Sequence, residues 1–158
     1  MALRQGTSLN LCDTSAASGN VYYVNNTAPT STLITLCQDD STNVGSSTAY
    51  NYVAYLFATV AGVSKVGSFS HTNGSSTDVD CGFSSGSAFI LGKRTDSTSD
   101  GYVWANARGI VSGHDGYVLL NSSAAEVTNQ DYVDPLNSGF QIASGFTTGD
   151  YIFYAIAA

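Results

Sequence analysis

Gly, Ser, Thr and Asn recur every few residues along this chain, and short aromatic and β-branched stretches run between them. Such punctuation suits turns and disfavours helices. No window of a dozen residues carries the i, i+3, i+4 apolar stripe of a helix. Short strands separated by turn residues at regular spacing mark an all-β sandwich or barrel. The pattern predicts strands near 21–24, 32–37, 51–60, 64–70, 78–83, 87–93, 101–105, 117–121, 131–134, 139–143 and 150–157. Asn73-Gly74 lies between two of them, and Asn-Gly supplies the positive φ values of a hairpin turn.

A second feature is an internal echo. Tyr52-Val53-Ala54-Tyr55-Leu56-Phe57-Ala58 returns as Tyr151-Ile152-Phe153-Tyr154-Ala155-Ile156-Ala157, with both tyrosines and the last alanine in register. Upstream, Leu11–Ala17 parallels Leu119–Ala125, Tyr23-Val24-Asn25 parallels Tyr132-Val133-Asp134, and Leu33-Ile34-Thr35 parallels Phe140-Gln141-Ile142. Ordered echoes imply a repeat. Residues 1–60 read as a partial first repeat and 61–158 as a complete second one, packed together as one unit. The expected fold is an antiparallel β-sandwich of jelly-roll type. Both heptads are apolar on alternate and intervening positions, the mark of a strand covered on both faces.

Polarity comes from hydroxyls rather than charges. Ser and Thr supply 38 residues, while charged residues make up 11% of a chain with net charge −7. The five cations, Arg4, Lys65, Lys93, Arg94 and Arg108, are scattered, which argues against nucleic-acid binding. The longest apolar run, Tyr52–Phe57, is too short to span a bilayer. No secretory signal opens the chain, so synthesis in the cytoplasm is expected. Cys12, Cys37 and Cys81 lack the CxxC spacing of a zinc site. They read as small buried residues, with a Cys12–Cys37 bridge as the alternative.

Residues that could carry chemistry are few. His71 and His114 fall in predicted loops. Asp78, Asp80, Asp131 and Asp134 could pair as glycosidase carboxylates, but turn-flanking carboxylates are the simpler reading. Asp96–Gly101 has oxygen ligands at the first, third and fifth positions of a calcium loop and glycine at the sixth. Ala107 stands where the bidentate glutamate belongs. Arg108, next to the short apolar strand of Trp104, needs an acidic partner if it turns inward; Asp131 or Asp134 is expected to form a structural ion pair with it. No cofactor, metal or catalytic residue is expected.

A string of ordered motifs carries a family resemblance: Asn26–Ser31, Tyr52–Ala58, Ser64–Ser68, Cys81-Gly82-Phe83, Lys93–Thr98, Ala107-Arg108-Gly109, Leu119-Leu120-Asn121, Glu126-Val127-Thr128, Asp131–Asp134, Gly139-Phe140 and Tyr151-Ile152. Together they resemble a domain of unknown function that recurs in virion proteins of tailed phages, especially aquatic ones. The resemblance spans residues 20–157. Gly101, where the family has an aromatic residue, and a short 144–149 loop depart from it. It implies a non-enzymatic structural protein on the particle surface, a capsid decoration or cement protein. The alternative is a tail-fibre or spike domain that binds host-surface glycans. The expected partners are copies of the same chain, as a trimer first and a dimer second, and the major capsid protein or other virion proteins. Tyr52, Tyr55, Phe57, Tyr151, Phe153 and Tyr154 are the expected interface.

Overall fold

The computed structural model of the protein describes residues 7–19, 27, 30, 32–36 and 51–158. In these residues alternation becomes strand. Two residues each form β1 (Thr7–Ser8) and β2 (Ser18–Gly19), which pair with each other. The larger elements are β3 (Ser64–His71), β4 (Thr77–Asp80), β5 (Ser87–Arg94), β6 (Gly101–Ala105), β7 (Asp115–Leu119), β8 (Val127–Gln130), β9 (Val133–Leu136), β10 (Gly139–Ile142) and β11 (Gly149–Ala157). One turn of 3₁₀ helix, Asn106–Arg108, follows β6 and closes on Gly109 at φ 93°, a left-handed conformation that glycine adopts without strain.

The protein is an antiparallel β-sandwich. Its six-stranded sheet has the order β3-β11-β5-β6-β7-β8 and its three-stranded sheet the order β4-β10-β9. Chain contacts define two compact units, Met1–Leu9 with Ala17–Leu56, and Asn10–Ala16 with Phe57–Ala158. Both large sheets belong to the second unit.

The core lies between them. Tyr151, Phe153 and Ala155 of β11 point inward beside Ile90 of β5 and Trp104 of β6. Val79, Val133, Phe140 and Ile142 come from the smaller sheet, and Phe146 from the loop before β11. Phe140 meets Phe153 edge to face at 5.2 Å, an aromatic geometry worth more than area alone. Gly67 makes room for that ring: a Cβ there would sit 2.6 Å from Phe153.

Several predicted strands shift. The strand predicted at 117–121 begins at Asp115, the one at 131–134 starts at Val133, and the one at 78–83 ends at Asp80. β8 was not predicted. The stretch 21–24 lies outside the described residues, and 32–36 forms no strand. The clearest correction concerns 51–60. Residues 51–59 form no strand, and Val60 contributes a single bridge to Ser64. Of the two echoing heptads, only the later one is a strand. Phe83, Trp104, Phe140 and Phe153 are buried, Phe89 is half-buried and Phe57 is exposed.

Candidate interaction surface

Several of the polar groups that the sequence offers for chemistry have protein partners, while His71 Nε2 and Asp134 Oδ1 are buried without one. His71 is buried; its Nδ1 lies 2.9 Å from Thr77 Oγ1, and burial lowers its pKa. Asp78 Oδ1 accepts from Gln141 Nε2 at 2.5 Å, and Asp80 Oδ1 caps the N–H of Gly82. The register puts Asp78, Gln141 and Asp134 in one row across β4, β10 and β9. The two carboxylates thus flank Gln141 roughly 10 Å apart, two strand spacings. Gln141 between them is bonded to Asp78, and the spacing exceeds that of a retaining glycosidase pair.

The candidate calcium loop is likewise committed. Asp96 takes a bidentate pair of hydrogen bonds from Arg94, at 2.7 and 3.0 Å, and a third from the N–H of Asp150. The guanidinium holds the Asp96 carboxyl well below its usual range. Asp100 accepts from Asn121 Nδ2 at 2.7 Å. Among the described residues no group of His, Cys, Asp or Glu is placed to hold a metal ion. Cys12 is an exposed free thiol and Cys81 a buried one, its pKa pushed up to about 11 by burial. Cys37 lies outside the described residues. No helix among them is long and apolar enough to cross a membrane.

The expected ion pair is corrected. Arg108 pairs with Glu126 at 2.9 Å, not with Asp131 or Asp134. The pairing of β7 with β8 sets Tyr117 opposite Val127, so Glu126 passes beside Gly116 and below Arg108. Gly116 is glycine for that reason: a Cβ there would meet Arg108 O at 2.7 Å and Glu126 Oε1 at 2.9 Å. The pair is partly exposed, so it adds little stability.

Two polar residues that sequence reasoning passed over are the most deeply buried of the described ones. Asp115 is 0% exposed and accepts from the N–H groups of Val111, Tyr132 and Val133. Lys93 is 1% exposed; its Nζ donates to the carbonyls of Asp13 and Ser99 at 2.5 and 2.8 Å. Ser99 N–H donates in turn to Thr14 O. Lys93 therefore fastens Asn10–Ala16 as a strap over β5 and β6. A lysine inside a strand of apolar neighbours is the one signal that could have found it.

The remaining surface feature is apolar. The outer side of the six-stranded sheet is not the polar face usual for an antiparallel sheet. Register puts Val66, Tyr154, Leu91, Val103 and Val118 in one row across five strands, with Ile156 and Phe89 one step along. Phe57 covers part of this row, its ring 4.6 Å from that of Tyr154. Val53, Tyr55, Leu56, Val60 and Val63 are exposed, Tyr55 at 81%. Of the expected interface residues, Tyr52, Tyr55 and Phe57 are exposed and Tyr154 is half-buried. Tyr151 and Phe153 belong to the core, a correction that follows from the pleat, since alternate residues of β11 face opposite ways.

The family described as Domain of unknown function (DUF7483) matches the chain over residues 1–158. No curated protein and no solved structure matches it.

Proposed function

We propose, for a chain that belongs to the DUF7483 family over residues 1–158, a non-enzymatic structural role in the virion of a tailed phage, as a decoration or cement protein on the capsid surface. The observation that carries this reading is the exposed apolar run Val53, Tyr55, Leu56 and Phe57, continued by Val60 and Val63. Contiguous exposed apolar surface marks an interaction site. The resemblance of the motif string to virion proteins supplies the setting. Four carboxylates lend support, since Asp78, Asp96, Asp100 and Asp115 are engaged in structural hydrogen bonds. Cementing needs buried area and several copies, with the chain as a homotrimer first and a dimer second, bound to the major capsid protein. It needs no cofactor.

The test is the copy number of the chain in purified particles, by quantitative mass spectrometry, together with its position in a particle map. A copy number comparable to that of the capsid subunits supports the reading. A handful of copies at the tail overturns it. Exposed Tyr55 favours one second reading, a fibre or spike domain, because an exposed aromatic ring can stack on host-surface glycans. Tail location combined with glycan binding that Tyr55→Ala abolishes would select it.

A further inference from the structure

We infer that the free edge of β3 accepts a strand from a second copy of this chain, and that the donor is the segment Tyr52–Ala58. The inference rests on the self-assembly in the proposed function and names its geometry.

Among the described residues β3 is an edge strand, paired with β11 on one side only. In an antiparallel ladder, successive residues direct their N–H and C=O groups to opposite sides. Val66 directs both groups away from β11, since its N–H donates to Thr59 Oγ1 at 3.1 Å and its C=O accepts from the same hydroxyl at 3.4 Å. By alternation, Ser68 and Ser70 also direct theirs to the free edge, and among the described residues none caps them. Unpaired edges of this kind are templates for strand addition.

The chain supplies a matching strand. β11, which pairs with the opposite edge of β3, places Tyr151, Tyr154 and Ala157 where the donor has Tyr52, Tyr55 and Ala58. The donor is exposed and apolar at Val53, Tyr55 and Leu56. In its own chain it forms no strand. Reciprocal bonds between Val60 and Ser64 close a tight turn just ahead of β3. Thr59 then takes the bonds of Val66 with its hydroxyl, and Phe57 swings onto Tyr154 on the outer face.

Charge favours a like partner at this place. A chain of net charge −7 repels its copies, yet no Asp or Glu lies between Asp40 and Asp78, and Lys65 is the one cation there. Donor and acceptor both fall in this carboxylate-free stretch. Each copy gives one strand and takes one, so the contacts close into a ring or a reciprocal pair.

Ser68→Pro is the acceptor variant: it removes an N–H at the free edge and leaves the β11 ladder intact, as edge strands tolerate. The donor variant combines Tyr55→Lys with Leu56→Lys at exposed positions. Sedimentation equilibrium of the full chain should show a self-associating wild type. Each variant should keep its thermal unfolding transition and weaken association about tenfold or more. Mixing the two should recover a mixed pair held by a single contact, because one retains the donor and the other the edge. Hydrogen exchange should show the Ser68 amide protected in assembled wild type only. A monomeric wild type overturns the inference, as does an oligomer indifferent to both variants or a mixture that does not associate. The particle copy number is counted separately, so the virion reading survives or falls on its own.

Discussion

Trp104 is 2% exposed, stacks on Tyr102 at 5.3 Å and has no hydrogen-bond partner for its indole N–H. Trp104→Ala should destabilise the sandwich by about 3–5 kcal/mol in chemical denaturation. Trp104→Phe keeps a ring and removes an orphaned donor, so it should cost under about 1.5 kcal/mol. Asp115 carries a pH signature. Burial raises its pKa above 3.8, against the pull of three N–H donors. An acid with a raised folded pKa is better protonated when folded, so this residue lowers stability as pH climbs upward from 3.8. Asp96 acts oppositely: its pKa is depressed, so its contribution is present above 3.8 and fades as pH falls below it. Asp115→Asn should remove the decline above pH 3.8 and leave the acid limb, read as melting temperature against pH.

Elements were legible where alternation and pairing agreed. β3, β5, β6, β10 and β11 lie close to where alternation predicts them. β8 escaped because Val127-Thr128-Asn129-Gln130 is mostly polar and is held by its ladder to β7. The segment 51–59 misled because strand propensity describes a side-chain pattern, while a strand also needs a partner edge. The hydroxyl of Thr59 and the ring of Phe57 decide that contest, and no period in the sequence reports either. The site was less legible still. Arg108 finds Glu126 through the β7–β8 ladder, a pairing that sequence distance does not rank above Asp131 or Asp134. The strap is invisible for the same reason, since Lys93 and Asp13 are 80 residues apart. Lys93→Met keeps the length and volume and removes the donors, leaving the carbonyls of Asp13 and Ser99 without this partner. Limited proteolysis should then cut within Asn10–Ala16 much faster than in the wild type, while the transition of the sandwich remains cooperative.

At the scale of the molecule, sparse charge and apolar outer surface point the same way. A sandwich with several carboxylates engaged by its own side chains and backbone, and with Tyr55 and Phe57 turned to solvent, is suited to binding through surface. The same arrangement has a temporal side. β11 lies between β3 and β5, yet it follows every other strand of its sheet in chain order. During synthesis, β5 through β8 can zip together as a meander, because each pairs with its neighbour in sequence. β3 joins them through residues 149–157, which among the described residues alone connect it to the rest of its sheet. Joining partners so distant in sequence is slow, on the millisecond-to-second scale of β-sandwiches. For that interval the nascent chain holds two open strand edges, and the order of its synthesis decides how long each is available to a neighbour on the same messenger.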